Sequence, residues 1–220
     1  MTQHSLTPRV RSMQWQWWQK VARRIRVPLG FLTAAVFLVE AARHTPHPTA
    51  IAWSLVLVLP GLALRAAASG TVKKNRELTV TGPYAYTRNP LYLGSSFIAA
   101  GFALALLSWP VALLLAAGFA AIYVPVIAAE ERFLHATFPG FEDYCRRVPR
   151  FFPRCTAARL QHETVSPSSS PAGLGAVAGG FSLALYLKHR EYNAALGAAL
   201  LYMSLLYLRP ALDFLLHRPG

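Results

Sequence analysis

The residues best equipped for chemistry lie between Gly82 and Gly94. Tyr84, Tyr86, Arg88, Asn89 and Tyr92 are interleaved there with two prolines and two glycines, directly ahead of a long apolar run. Gly82-Pro83 opens a turn, and Pro90 suits the first position of a helix, where its missing N–H costs nothing. Arg88 and Asn89 then place a guanidinium and backbone amides at a helix N-terminus, which favours an anionic group such as a carboxylate. The three tyrosines offer rings that could stack on a planar ligand. The plainer reading is a re-entry loop with interfacial tyrosines and a snorkelling arginine, and spacing alone leaves both open.

A second cluster, Glu130-Glu131, caps the far end of the next apolar run. Tyr123, Ile127 and Glu130 share a helix face, so one acid turns inward. Pro125 frees a carbonyl about one turn earlier. Adjacent acids point in different directions, so at most one is a ligand or base and the other a structural ion pair; the plainer reading pairs both with Arg132, Arg146 or Arg147 in the headgroup zone. Tyr144 and Arg147 are three residues apart and present a phenol and a guanidinium on one helical face. Arg146, Arg150, Arg154 and Arg159 read as lipid-headgroup contacts. His44 and His47 lack carboxylate or cysteine company and read as loop residues, so no metal site is expected. Cys145 and Cys155 have neither metal-ligand nor redox spacing and read as free thiols.

These clusters must be held by helices. The chain has 220 residues, 54% hydrophobic and only 14% charged, where a soluble domain carries about a quarter charged residues. The apolar residues are clumped into runs separated by basic segments, which predicts an all-α, polytopic membrane protein of about six transmembrane helices. The net charge of +13 falls between those runs. There it marks the cytosolic face and anionic lipid rather than nucleic acid. Residues 1–27, with Trp15, Trp17 and Trp18, read as a basic interfacial lead-in, not a signal peptide. Residues 28–160 form a membrane core with spans at about 28–42, 49–68, 91–107 and 111–129. Pro60-Gly61 is a kink, Arg65 snorkels to the cytosolic face, and Ser108-Trp109-Pro110 is a tight turn. Residues 161–171 are a Ser/Pro linker. Residues 172–220 form a C-terminal transmembrane hairpin with runs at 172–187 and 194–208, where Gly175 and Gly179 pack helices. Basic-residue counting places the N-terminus, the 69–90 loop, the 130–160 segment and the C-terminus in the cytosol, with the 188–190 patch opposite.

The ordered motifs are Gly82-Pro-Tyr-x-x-x-Arg-Asn-Pro-x-Tyr-x-Gly94, Glu130-Glu-x-x-Leu134, and Phe138-Pro-Gly-Phe-Glu-Asp-Tyr144-x-x-Arg147-Val-Pro149. Over about residues 77–153 they resemble the isoprenylcysteine carboxyl methyltransferase family and the wider group of membrane phospholipid methyltransferases. The resemblance implies S-adenosylmethionine bound at the cytosolic end of a helical hairpin, a pocket closed by the 130–155 segment, and a lipid-facing tunnel. By position it assigns cofactor binding to Tyr84, Arg88, Asn89, Pro90, Tyr92, Gly94, Glu130, Glu131 and Tyr144, and catalysis to Arg147, Glu130 and Glu131. Asn89 stands where many members have histidine. An amide still hydrogen-bonds but does not titrate near neutrality. The C-terminal hairpin has no counterpart that the resemblance explains.

The implied function is an integral membrane methyltransferase acting on a lipid or lipidated acceptor from the bilayer, in the cytoplasmic membrane if bacterial. An isoprenylcysteine-type carboxylate would be gripped by Arg147. A phospholipid amine would need Glu130 or Glu131 as base. A thiol acceptor and a non-enzymatic lipid-binding module complete the alternatives.

Overall fold

The structure is a computed structural model, which describes residues 32–72, 78–158 and 181–216. The lead-in 1–27, the linker 161–171, Gly175, Gly179 and most of the 172–187 run fall outside the described residues, and the 69–90 loop is described except for 73–77. Among the described residues every regular element is helical. They are α1 (residues 32–43), α2 (Pro48–Thr71), α3 (Pro90–Leu106), α4 (Trp109–Thr137), α5 (Phe141–Arg147), α6 (Leu183–Lys188) and α7 (Tyr192–Leu216), with a short 3-10 helix at Gly82–Ala85. Three helices, α2, α4 and α7, are long and apolar enough to cross a membrane, and α3 is a shorter apolar helix. Their outer faces carry exposed large apolar side chains, among them Trp53, Val56, Leu113 and Leu200. Such a surface suits lipid, while the helices satisfy their own backbone hydrogen bonds.

Small residues decide how α2 and α3 meet. A Cβ at Gly61 would lie 2.8 Å from the Gly94 carbonyl oxygen, and one at Gly101 would lie 2.5 Å from Val58 Cγ2. Without a hydrophobic drive between helices in lipid, such close approach supplies much of the association. Gly61, expected as half of a Pro-Gly kink, is therefore a packing contact. Phe37, Val58, Phe102, Val111 and Leu205 form the buried core between α1, α2, α3, α4 and α7. Within it Ser54 Oγ and the Tyr202 hydroxyl share a 2.8 Å hydrogen bond.

The turn between α3 and α4 is tighter than expected. Leu107 takes a left-handed backbone (φ 49°), Ser108 is the N-cap, and Trp109 and Pro110 already belong to α4. At its other end α4 runs on to Thr137. Glu130 and Glu131 thus sit inside the helix, about two turns before its end, rather than capping it.

The C-terminal part also departs from expectation. Arg190, with φ 55°, makes the turn between α6 and α7. There Ser182 N–H donates to the Gly70 carbonyl at 2.8 Å and His189 Nδ1 to the Ser69 carbonyl at 2.9 Å. Both acceptors lie in the last turn of α2. At the opposite end of the bundle, the Arg209 guanidinium donates to the Arg43 carbonyl. The 188–190 patch therefore lies on the same face as the 82–94 segment, and α7 carries the chain away to the other face. Pairing with α2 reverses the orientation that counting basic residues assigned to these two points.

Candidate active site

The 82–94 segment is fixed by a chain segment far from it in sequence. Gly82 takes φ 59°, and Pro83 starts the 3-10 turn that presents Tyr84. Residues 144–158 then close over this turn. Arg88 N–H donates to the Pro149 carbonyl at 3.0 Å, Arg154 N–H to Tyr86 and Ala158 N–H to Ala85. Asn89 Nδ2 donates to the Arg150 carbonyl at 2.8 Å, and the buried Thr87 hydroxyl donates to the Phe151 carbonyl at 2.9 Å. Tyr144, on α5, donates its hydroxyl to the Tyr84 carbonyl at 2.8 Å. Buried backbone acceptors need partners, and here two distant segments satisfy each other.

Between this loop, α4 and α5 lies a cavity of about 390 Å³, within the range of small-molecule sites. Of the residues named from sequence, Tyr84, Arg88, Asn89, Pro90, Tyr92, Glu130, Glu131 and Tyr144 line it. Gly94 and Arg147 are not among its lining. Gly94 packs on α2, where a Cβ would meet Arg65 Cγ and the Gly61 oxygen, each at 2.7 Å. Arg147 pairs with Asp143 at 3.0 Å and its side chain is nearly half exposed, so Tyr144 and Arg147 do not face the cavity together. Arg65, expected to snorkel, lines the cavity and binds Glu191 at 2.6 Å and the Ser95 hydroxyl. Glu191, between the two C-terminal apolar runs, lines it too. Thr87 and Glu191 escaped notice because their partners lie 64 and 126 residues away; no local pattern marks them.

The two acids have different surroundings, and their partners are not those expected from sequence order. Glu131 lies 3.1 Å from Arg88 and 3.0 Å from Arg150, so Arg150 belongs to an ion triad rather than to a lipid-facing row. Glu130 is exposed and accepts a hydrogen bond from the Tyr92 hydroxyl at 2.9 Å. Tyr92 also packs its ring on Tyr123 at 4.9 Å. The Arg88–Glu131 contact has ion-pair distance without hydrogen-bond alignment. Arg88 Nε and Glu131 Oε1 are both buried with no hydrogen-bond partner among the described residues. Such orphaned groups cost free energy unless a ligand satisfies them.

Burial raises the Tyr84 phenol above the ordinary tyrosine range, and the nearby carboxylates of Glu130 and Glu191 add to the rise. Tyr144 is raised for the same first reason, reinforced by Tyr84 and opposed by Arg88. Both phenols stay neutral donors at physiological pH. Burial also raises the Cys145 thiol, against the lowering effect of Arg88 beside it.

A second cavity of about 350 Å³ adjoins this site. It is almost wholly apolar, lined by residues such as Phe37, Ile98, Phe102 and Leu201, and Arg65 borders both cavities. Among the described residues, no group of three or more His, Cys, Asp and Glu could hold a metal ion.

Residues 52–140 match the phospholipid methyltransferase family. The nickel-cobalt-cadmium resistance protein NccN of Alcaligenes xylosoxydans xylosoxydans is 41% identical over 89 residues, which is 40% of this chain and 42% of that protein. The cobalt-zinc-cadmium resistance protein CzcN of Cupriavidus metallidurans is 41% identical over 87 residues, 40% of each chain. The match thus spans about two fifths of the length of these relatives. No solved structure matches the chain.

Proposed function

We propose, from the match of residues 52–140 to the phospholipid methyltransferase family, an integral membrane methyltransferase that uses S-adenosylmethionine on a lipidic acceptor. The observation that carries this reading is the polar cavity, with its orphaned Arg88 Nε and Glu131 Oε1, beside an apolar cavity within the bundle.

The residues present fit this cofactor. Arg88 Nε is a buried donor suited to a carboxylate, Glu131 Oε1 an acceptor suited to an ammonium or a ribose hydroxyl, and the Tyr84, Tyr92 and Tyr123 rings suit a purine. When bound, the cofactor supplies a strongly electrophilic methyl group on a sulfonium. The protein's share is then orientation and exclusion of water. The 144–158 segment contributes by closing over the 82–89 turn.

The charges in the cavity bear on the acceptor. A carboxylate acceptor needs an orienting cation, but Arg88 is assigned above to the cofactor, Arg65 is paired with Glu191, and Arg147 sits outside with Asp143. An amine needs a proton acceptor, and Glu130 stands in the cavity wall, where it accepts a hydrogen bond from the Tyr92 hydroxyl. This inventory puts a lipid amine ahead of the isoprenylcysteine carboxylate, reversing the order expected from sequence.

The test is calorimetric titration of the full chain in detergent with S-adenosylhomocysteine, followed by labelled-methyl transfer to lipid extracts and prenylcysteine analogues. Arg88→Ala or Glu130→Ala should weaken nucleoside binding by about 1.5–3 kcal/mol, the scale of a charge-assisted hydrogen bond. Unchanged affinity in both variants would remove these residues from the site.

A further inference from the structure

The cavity is not built by residues 52–140 alone. Glu191, at the turn between α6 and α7, enters its wall from outside that segment. Its placement is not a chance contact. Phe181 covers Gly70, where a Cβ would lie 2.3 Å from the ring. Ser182 and His189 hold the carbonyls of Gly70 and Ser69, and the left-handed Arg190 returns the chain so that Glu191 meets Arg65.

Three carboxylates, those of Glu130, Glu131 and Glu191, share the lining with two guanidiniums, those of Arg65 and Arg88. The lining therefore carries one net negative charge. Arg150 pairs with Glu131 from outside the lining at 3.0 Å, and once it is counted the carboxylates and guanidiniums balance. Both Arg65 hydrogen bonds, from Nε at 3.1 Å and from Nη2 at 2.6 Å, fall on the same Glu191 oxygen, Oε2. Oε1 takes neither. The Glu191 carboxylate, like that of Glu130, adds to the rise of the Tyr84 phenol. A carboxylate oxygen in a partly buried wall that accepts neither of the arginine hydrogen bonds is complementary to a cation, because partial desolvation strengthens the attraction over its value in water.

We propose that Glu191 is a cofactor-binding residue that recognises the positive charge of the methyl donor, so that the cavity holds the sulfonium form more tightly than the neutral thioether left after transfer. This inference rests on the methyltransferase reading above. It gives the C-terminal segment a place in the site, and it makes loss of charge on transfer a drive for product release.

The test compares two probes on the full chain in detergent, S-adenosylmethionine and S-adenosylhomocysteine, by titration calorimetry. Glu191→Gln keeps an oxygen for Arg65 but removes the charge. It should weaken binding of S-adenosylmethionine about tenfold and that of S-adenosylhomocysteine less than about twofold, the contrast expected of a partly buried charge. Phe181→Ala loosens the same turn without touching charge and should weaken both probes alike. If Glu191→Gln weakens both equally, or neither, Glu191 is not a charge-recognising residue. If the wild-type chain binds neither probe, the methyltransferase reading itself fails, and this assignment with it.

Discussion

The Tyr144 hydroxyl donates to the Tyr84 carbonyl across 60 residues of sequence, at 2.8 Å. Tyr144 is buried, so Tyr144→Phe leaves that carbonyl without this donor. The expected cost is about 1 kcal/mol, read as a lower midpoint in thermal unfolding of the detergent-purified chain. An unchanged midpoint would mean that α5 is held by its apolar contacts alone.

Glu131 stands between two guanidiniums of unequal burial, Arg88 with little exposure and Arg150 with about half. Removing the shared acid strands the more buried one. Glu131→Ala should therefore cost about 2 kcal/mol, less than a fully buried pair, while Arg150→Ala should cost well under half of that. Chemical unfolding of both variants decides it, and equal losses would contradict the ion-triad account.

Gly94 and Gly140 offer a paired control. A methyl group at Gly94 would press on Arg65 Cγ and the Gly61 carbonyl, whereas one at Gly140 meets nothing within 4 Å. Gly94→Ala should destabilise by roughly 1–3 kcal/mol, the range of overpacking, and Gly140→Ala should be neutral in the same thermal assay. A neutral Gly94→Ala would show that α2 and α3 can slide apart without cost.

Cys145 is half-buried and its thiol is raised by burial, while Cys155 is exposed. A raised thiol pKa means less thiolate at neutral pH. Maleimide should modify Cys155 first near neutrality, and the Cys145 rate should climb only as pH passes above the ordinary thiol range. Mass spectrometry of a labelling time course would expose the contrary, equal rates at neutral pH.

The pairing of α2 with the α6–α7 turn bears on topology. Cysteines replacing Arg190 and His44 should be labelled from opposite sides of sealed vesicles by an impermeant reagent. Labelling of both from one side would overturn the arrangement in which His189 meets Ser69 and Arg209 meets Arg43.

The local signals were sufficient for the starts of three helices and for eight of the residues that line the cavity. Apolar runs bounded by Pro48, Pro90 and Pro110 specify where α2, α3 and α4 begin, because the constraint acts on each segment alone: backbone groups in lipid must be bonded within it. The same locality made Tyr84, Arg88, Asn89, Tyr92 and Glu130 legible, since polar side chains at an apolar boundary stand out without knowledge of any neighbour. What remained hidden depends on pairs. Whether Glu131 is a ligand or a salt bridge depends on Arg88 and Arg150, whether Gly94 touches a ligand or a helix depends on Gly61, and whether Arg147 faces the cavity depends on Asp143. Arg65 is the clearest case. By itself, an arginine near the end of an apolar helix snorkels, and only the packing of α7 against α2 supplies the carboxylate of Glu191 that keeps its charge inside.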